Sequence, residues 1–336
     1  MDRFSSRRVG NLRSRRDILK LGIAATSSLL VWPTAQGKTG WPSQPIRIIC
    51  ALAPGGAVDS VARALGEFMA IKLEVSVVNQ NKPGGLGTIA AAEVVRSEAD
   101  GHTLLFLLHS QLAQAPVLLK NLSFDPDEDL IPIGAYGTGS SPLVVRHDLP
   151  VNNLTELIDY AKQKDVFVGN YAVGSSWQLI VDELAKETGA RFNLINYKGT
   201  SPMMADLMAG TIDVAGGSLL GVTPGIQSGK AKAIHLISGP KSNKGFAGNT
   251  ILTGLSSFED LGFTADAFTR TGDAHMLLAP RGTPQAVIDA LTSIVDESFI
   301  ESERIKAVMA RLGQTEKPWT GEPEFDSLLT PLPSKT

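Results

Sequence analysis

The chain has 336 residues, 43% of them hydrophobic, with one cysteine and a formal charge of −3. That length suits one large domain or two ordinary ones, and a lone thiol excludes an internal disulfide. Residues 1–37 carry seven basic and two acidic side chains, so the rest of the chain has a net charge of −8, which excludes a nucleic-acid or anionic-membrane binder built on a basic surface.

The first element predicted is an address. Ser14, Arg15, Arg16, Asp17, Ile18, Leu19 and Lys20 precede an uncharged stretch at 21–31 and a small-residue zone at 33–37. A basic region with paired arginines, a short apolar region and a cleavage zone form a twin-arginine export signal. The 11 residues of 21–31 span about 16 Å as a helix, against about 30 Å of hydrocarbon core. The segment is expected to be removed near Lys38, leaving a periplasmic protein. No other stretch has the length of a membrane span.

Beyond it, short β-branched runs alternate with amphipathic stretches of helical length. Strands are predicted at 46–52, 75–79, 103–108, 143–146, 167–171, 192–197, 212–215 and 233–237. Helices are predicted at 58–73, 88–97, 154–163, 177–188, 202–209 and 222–228. Such alternation predicts an α/β fold with mainly parallel sheets and ligand chemistry at the carboxyl ends of strands. Cys50, inside the first apolar run, reads as a core thiol. The rhythm breaks at 125–141 and again at 238–271, both rich in small or turn-forming residues. Two breaks flanking a central block suggest a lobe inserted into another, with crossings at 137–141 and 266–272 as hinges. An apolar run at 276–280, helices at 284–299 and 302–312, and a Pro-rich end complete the chain.

Three glycine-rich junctions invite chemistry. The first is Ala53, Pro54, Gly55, Gly56, Ala57, Val58 and Asp59, between a strand and a helix. Glycines there let successive N–H groups open at a helix N-terminus, an anion site by geometry and dipole, although the same pair would also serve a simple chain reversal. Asp59 falls in the first helical turn as a cap or dipole partner. The second, Gly85 to Ala90, spells G-x-G-x-x-A, but it stands too far from its strand and lacks the acidic residue expected about 20 positions later, so it is not a dinucleotide fingerprint. The third, Gly174, Ser175, Ser176 and Trp177, repeats the logic of the first with added hydroxyls. Trp177 could stack on an aromatic ligand or pack in the core, and packing is favoured. The five histidines are scattered without triad context or metal-ligand spacing, so neither catalysis nor a cofactor is indicated.

Six segments stand in a familiar order: Trp41 to Arg47, Ala53 to Asp59, Asn81 to Gly84, Asp100 to Leu104, Tyr197 to Gly199, and Leu278 to Pro284. Together they resemble the Bug receptors, the substrate-binding proteins of tripartite tricarboxylate transporters, over residues 41–325. The resemblance implies a two-lobed periplasmic-binding-protein fold of type II, each lobe a mixed, mostly parallel sheet flanked by helices. Lobe 1 takes 38–141 and 270–336, and lobe 2 takes 142–269. It also implies a small carboxylate ligand gripped by amides and hydroxyls of two facing loops, delivery to membrane transporter subunits, and no enzymatic activity. The candidate ligand-binding residues are Gly55, Gly56, Ala57, Val58, Asp59, His109, Ser110, Gly174, Ser175, Ser176, Trp177 and Ser218. Two departures bear on specificity. Trp177 and Gln178 replace the small polar residue and histidine common in the family, and Gly217 and Ser218 replace its frequent Asp-Asn. No cofactor, nucleic acid or second copy of the chain is expected. Two rival roles remain, an exported cofactor-dependent enzyme and a sensory receptor that signals to a partner.

Overall fold

The computed structural model describes residues 40–137, 139–238, 250–269, 273–314 and 317–320. The expected export signal, part of each expected hinge and the Pro-rich end lie outside the described residues. The chain first forms β1 (Ile46–Cys50), α1 (Ala57–Leu73), β2 (Val77–Asn81), α2 (Thr88–Val95), β3 (Thr103–Leu108), α3 (His109–Leu118) and β4 (Leu130–Gly137). There follow β5 (Ser141–Arg146), α4 (Leu154–Gln163), β6 (Val166–Asn170), α5 (Ser176–Thr188), β7 (Phe192–Asn196), α6 (Thr200–Ala209), β8 (Val214–Gly216), α7 (Leu219–Gln227) and β9 (Ala231–Ser238). Last come β10 (Ala274–Pro280), α8 (Gln285–Glu301), α9 (Glu303–Leu312) and β11 (Trp319–Thr320).

These strands form two sheets, one in the order β11-β4-β10-β3-β1-β2 and one in the order β7-β6-β8-β5-β9. The α/β architecture with two sheets and flanking helices is therefore as predicted. Parallel pairing is less extensive than the alternation suggested. It is confined to β1 with β2 and β3 and to β6 with β7 and β8. Strand β10 runs antiparallel to β3 and β4, and β5 antiparallel to β8 and β9. The cause is the passage between sheets: β5 enters the second sheet directly from the first, and β10 enters the first on the way back, without the crossover helix that makes neighbouring strands parallel.

Each sheet is covered on both faces. Alternate residues of β1 and β3 (Ile46, Ile48, Cys50; Leu104, Phe106, Leu108) pack with α1, α8 and α9. Their neighbours (Ile49, Leu105, Leu107) pack with α2 on the other face. In the second sheet Val145, Val166 and Val168 face α4 and α5, and Val144 and Ala215 face α6 and α7. Helix starts are set locally. Asn153 caps α4 by accepting from the Glu156 N–H, and Glu156 reaches back to accept from the Asn152 N–H at 2.7 Å, a reciprocal arrangement that satisfies otherwise orphaned donors. Cys50 is fully buried, and desolvation pushes its thiol up to about 12, as a core thiol requires.

Two elements depart from the sequence reading. The break at 125–141 contains β4, a strand next to the centre of the first sheet, and 109–118 forms a helix around Pro116. Strand β4 escaped notice because it holds Pro132, Gly134 and Gly137. A register shift between Leu277 and Leu278 lies opposite Pro132. Gly134 is required, since a Cβ there would lie 2.7 Å from Val295 Cγ1 on α8.

Candidate functional site

A cleft lies between the two sheets and encloses about 620 Å3 when the open space at its mouth is counted. It is built where the parallel strands end. Leu52 and Ala53 follow β1, Leu108 ends β3, Tyr171 follows β6, and Gly217 and Ser218 follow β8. Ser141 opens β5, and Asp273 and His275 stand at the start of β10.

Four helices begin at this cleft. Gly56, Ala57 and Val58 start α1, Ser176 and Trp177 start α5, Gly199 and Thr200 start α6, and Gly217 and Ser218 lead into α7. The first amides of a helix have no carbonyl one turn earlier to bond, and the macrodipole makes each N-terminus positive. Among the described residues that line the cleft, none is lysine or arginine. Its attraction for an anion is therefore carried by backbone and hydroxyl groups.

The predicted residues separate into those facing the cleft and those shaping the loops behind it. Gly56, Ala57, Val58, Ser176, Trp177 and Ser218 line it. Gly55, Asp59, His109, Ser110, Gly174 and Ser175 do not, and all of these but Ser110 make bonds that shape the loops. Gly55, at φ 82°, donates its N–H to Asp59 Oδ2 at 2.9 Å. Asp59 also accepts from Arg63 Nε at 2.9 Å and Asn81 Nδ2 at 2.8 Å, and Asn81 holds the Leu52 carbonyl at 2.9 Å. Burial opposes ionisation of Asp59, but its bonds from Arg63, Gly55 and Asn81 outweigh that and hold its carboxyl below its ordinary value. The expected ligand contact is thus the clamp that fixes the first loop.

The third junction is arranged likewise. Ser175 caps α5 by accepting from the Gln178 N–H at 3.2 Å and donates to Asn170 Oδ1 at 2.8 Å, fully buried. Gly174, at φ 71°, donates to Gln178 Oε1 at 3.1 Å. Trp177 is packed: its Nε1 donates to the Gly169 carbonyl at 2.9 Å, and the indole lies so close to Gly216 that a Cβ there would be 2.5 Å away. It closes one wall of the cleft and cannot swing onto a ligand. His109 Nδ1 accepts from the Ala274 N–H at 2.9 Å and burial lowers its pKa. Ser110 is buried at the start of α3.

Sequence reasoning found Ser176 and Ser218 among the polar residues of the cleft and missed others, chief among them Tyr171, Asp273 and His275. Tyr171 donates its hydroxyl to Asp273 Oδ2 at 2.5 Å, and Ser176 donates to Oδ1 at 3.1 Å. Burial and the adjacent Asp273 carboxylate raise the Tyr171 pKa well above its ordinary value, so the phenol stays a donor. His275 is 1% exposed, its Nδ1 has no hydrogen-bond partner among the described residues, and burial lowers its pKa to about 4 despite the nearby Asp273 charge. The available signal was positional, since Tyr171 and Asp273 each adjoin a strand end.

Comparison with known proteins agrees with this architecture. A profile of the tripartite tricarboxylate transporter family receptor matches residues 61–315. A UPF0065 protein of Bordetella bronchiseptica is 30% identical over 267 residues, covering 79% of this chain and 76% of that protein. The solved periplasmic binding protein BugD superposes with a TM-score of 0.71 at 31% identity, covering 81% of this chain and 88% of that one. An R. palustris protein solved with adipate shares the fold, with a TM-score of 0.74 at 24% identity, covering 86% of this chain and 95% of that one. The motifs, the two-sheet fold and these matches agree: the chain belongs to the tripartite tricarboxylate transporter receptor family, the two-lobed solute-binding receptors of the Bug type.

Proposed function

We propose that this receptor binds a small organic carboxylate between its two lobes in the periplasm and passes it to membrane transporter subunits. The carrying observation is the convergence of four helix N-termini on one cleft whose described lining lacks lysine and arginine. Such a site attracts an anion without a fixed cation and releases it without breaking an ion pair. The adipate held by a protein of the same fold is consistent with that chemistry.

In this reading residues 1–37 are the twin-arginine signal that delivers the chain, and the mature receptor acts as a monomer without catalysis or cofactor. Lobe 1 comprises 38–141 and 270–336, lobe 2 comprises 142–269, and closure turns about the two crossings. The ligand carboxylate meets the leading amides of α1 and α6, beside Gly56 and Thr200. Calorimetry and thermal shift with mono-, di-, tri- and aromatic carboxylates provide the test. Saturable one-to-one binding of at least one class is expected, weakened by Gly56→Val, which fills the backbone approach. No binding across the panel would end the carboxylate assignment.

A further inference from the structure

Asp273 stands immediately before β10, on the strand that returns to the first sheet, and its carboxylate is bonded by two hydroxyls that belong to the second sheet's lobe. We propose that these bonds are a built-in latch: Asp273 draws the two lobes together with the chain's own groups and so sets how far the cleft opens. The latch concerns closure, not ligand chemistry, and rests only on the lobes moving as read above.

Its two ends are anchored in different lobes. On the first side the Ala274 N–H donates to His109 Nδ1 at 2.9 Å, and Ala274 and His275 enter the antiparallel ladders with β4 and β3. Asp273 therefore moves with the first sheet. On the second side Tyr171 follows β6, and Ser176 opens α5, which packs on the second sheet through Trp177, Ile180 and Val181. Burial and the adjacent Asp273 charge keep the Tyr171 phenol protonated, so it donates to Oδ2 at 2.5 Å while Ser176 donates to Oδ1 at 3.1 Å. Hydrogen bonds to a carboxylate are stronger than neutral ones, and the N-terminus of α5 favours the same charge. Opening the cleft must separate these groups or pull α5 from its sheet. The bonds lie beside the return crossing and act on a short arm, so a small separation at Asp273 is a wide one farther out. The Ala53 N–H, bonded to the Lys198 carbonyl at 2.8 Å, lies at such a distance. It follows β1, two places from β10 in the first sheet, and Lys198 follows β7, three places from β5 in the second.

Amide hydrogen exchange and small-angle scattering test the latch without any ligand, on protein dialysed until native mass spectrometry shows no retained solute. In Asp273→Ala the Ala53 amide is expected to exchange at least tenfold faster and the radius of gyration to rise, while amides paired within one sheet, in β3 and β6, keep their rates. Tyr171→Phe and Ser176→Ala are expected to give smaller changes of the same sign. Tyr171→Phe added to Asp273→Ala is expected to change nothing further. The latch is overturned if Ala53 exchange and the radius in Asp273→Ala match the unaltered protein, or if β3 and β6 amides accelerate equally. It is also overturned if Tyr171→Phe keeps its full effect in the Asp273→Ala background. Should Asp273→Ala not fold, the two hydroxyl variants decide by the same readings, and unchanged values in both reject the latch. None of these outcomes depends on carboxylate binding, which stands or fails by the ligand panel above.

Discussion

Two adjacent serines show how far a single residue's duty depends on one step around a helix start. Ser175 and Ser176 look interchangeable as hydroxyl donors in the sequence. In the fold Ser175 turns inward to cap α5 and bond Asn170, while Ser176 faces the cleft and holds Asp273. Residue identity made the anion-binding junctions legible, but not which side chain of each junction faces outward, because the change from the extended cap at Ser175 to the first helical residue at Ser176 decides that. His275 was beyond reach for a related reason: an isolated histidine in an apolar run carries no sign of what its buried nitrogen meets. Its burial has a measurable consequence. The folded-state pKa, about 4, lies below the unfolded value near 6.5, so between these limits the unfolded chain binds more protons and stability falls as pH drops. From pH 7 to pH 4.5 this one group removes about 2 kcal/mol. In chemical denaturation His275→Gln is expected to lose about 2 kcal/mol less than the unaltered protein over that interval. Equal losses would show that the folded protein protonates His275 as easily as the unfolded chain does.

At the scale of elements, periodicity exposed the repeating units and hid the strand that joins them. Runs at 46–52, 103–108 and 167–171 were legible because β-branched and aromatic residues alternate or cluster there between turn signals. Strand β4 was not, since proline and glycine normally argue against a strand inside a sheet. Its glycines answer to packing instead. Helix α8 crosses this strand so closely that Val295 occupies the volume a side chain at 134 would need. Gly134→Val is therefore expected to overpack the core below α8 and cost about 1–3 kcal/mol. The compensating change Val295→Ala in the same chain is expected to recover part of that loss. Urea denaturation of the two single variants and the pair measures the coupling. Strict additivity of the two effects would show that the residues do not compete for one space.

For the molecule as a whole, the question is what holds the two lobes against each other. Besides the Tyr171 and Ser176 bonds to Asp273, backbone and glycine contacts link segments of different sheets at the cleft. The Ala53 N–H donates to the Lys198 carbonyl at 2.8 Å. A Cβ at Gly199 would lie 3.2 Å from that of Ala53, and a Cβ at Gly174 would lie 2.4 Å from Leu86 Cδ2. At these points the lobes meet through glycine backbone on one side and small or apolar side chains on the other, and the fit leaves no room for a longer side chain. Gly174 was legible as part of a glycine-rich junction and Gly199 was not singled out, and the close approach each makes was not legible for either, because closeness across a cleft leaves no trace in local sequence. Gly174 tests the point best. Its contact is with a residue of the facing lobe, and its side of α5 is otherwise secured by Gln178 and Ser175. Gly174→Leu would place a branched side chain where Leu86 now sits and would strain a backbone held at φ 71°, a cost of about 1 kcal/mol or more. The strain lowers the melting temperature modestly. The obstruction is a separate effect: the lobes cannot approach as closely as Gly174 and Leu86 do here, so ligand affinity is expected to fall at least tenfold. Small-angle scattering at saturating ligand is then expected to give a larger radius of gyration for the variant than for the unaltered receptor. Leu86→Ala in the Gly174→Leu background removes the obstructing partner and is expected to restore compaction and much of the affinity, while the backbone strain and its thermal cost remain. If the double variant stayed open, the contact between Gly174 and Leu86 would not be what limits closure.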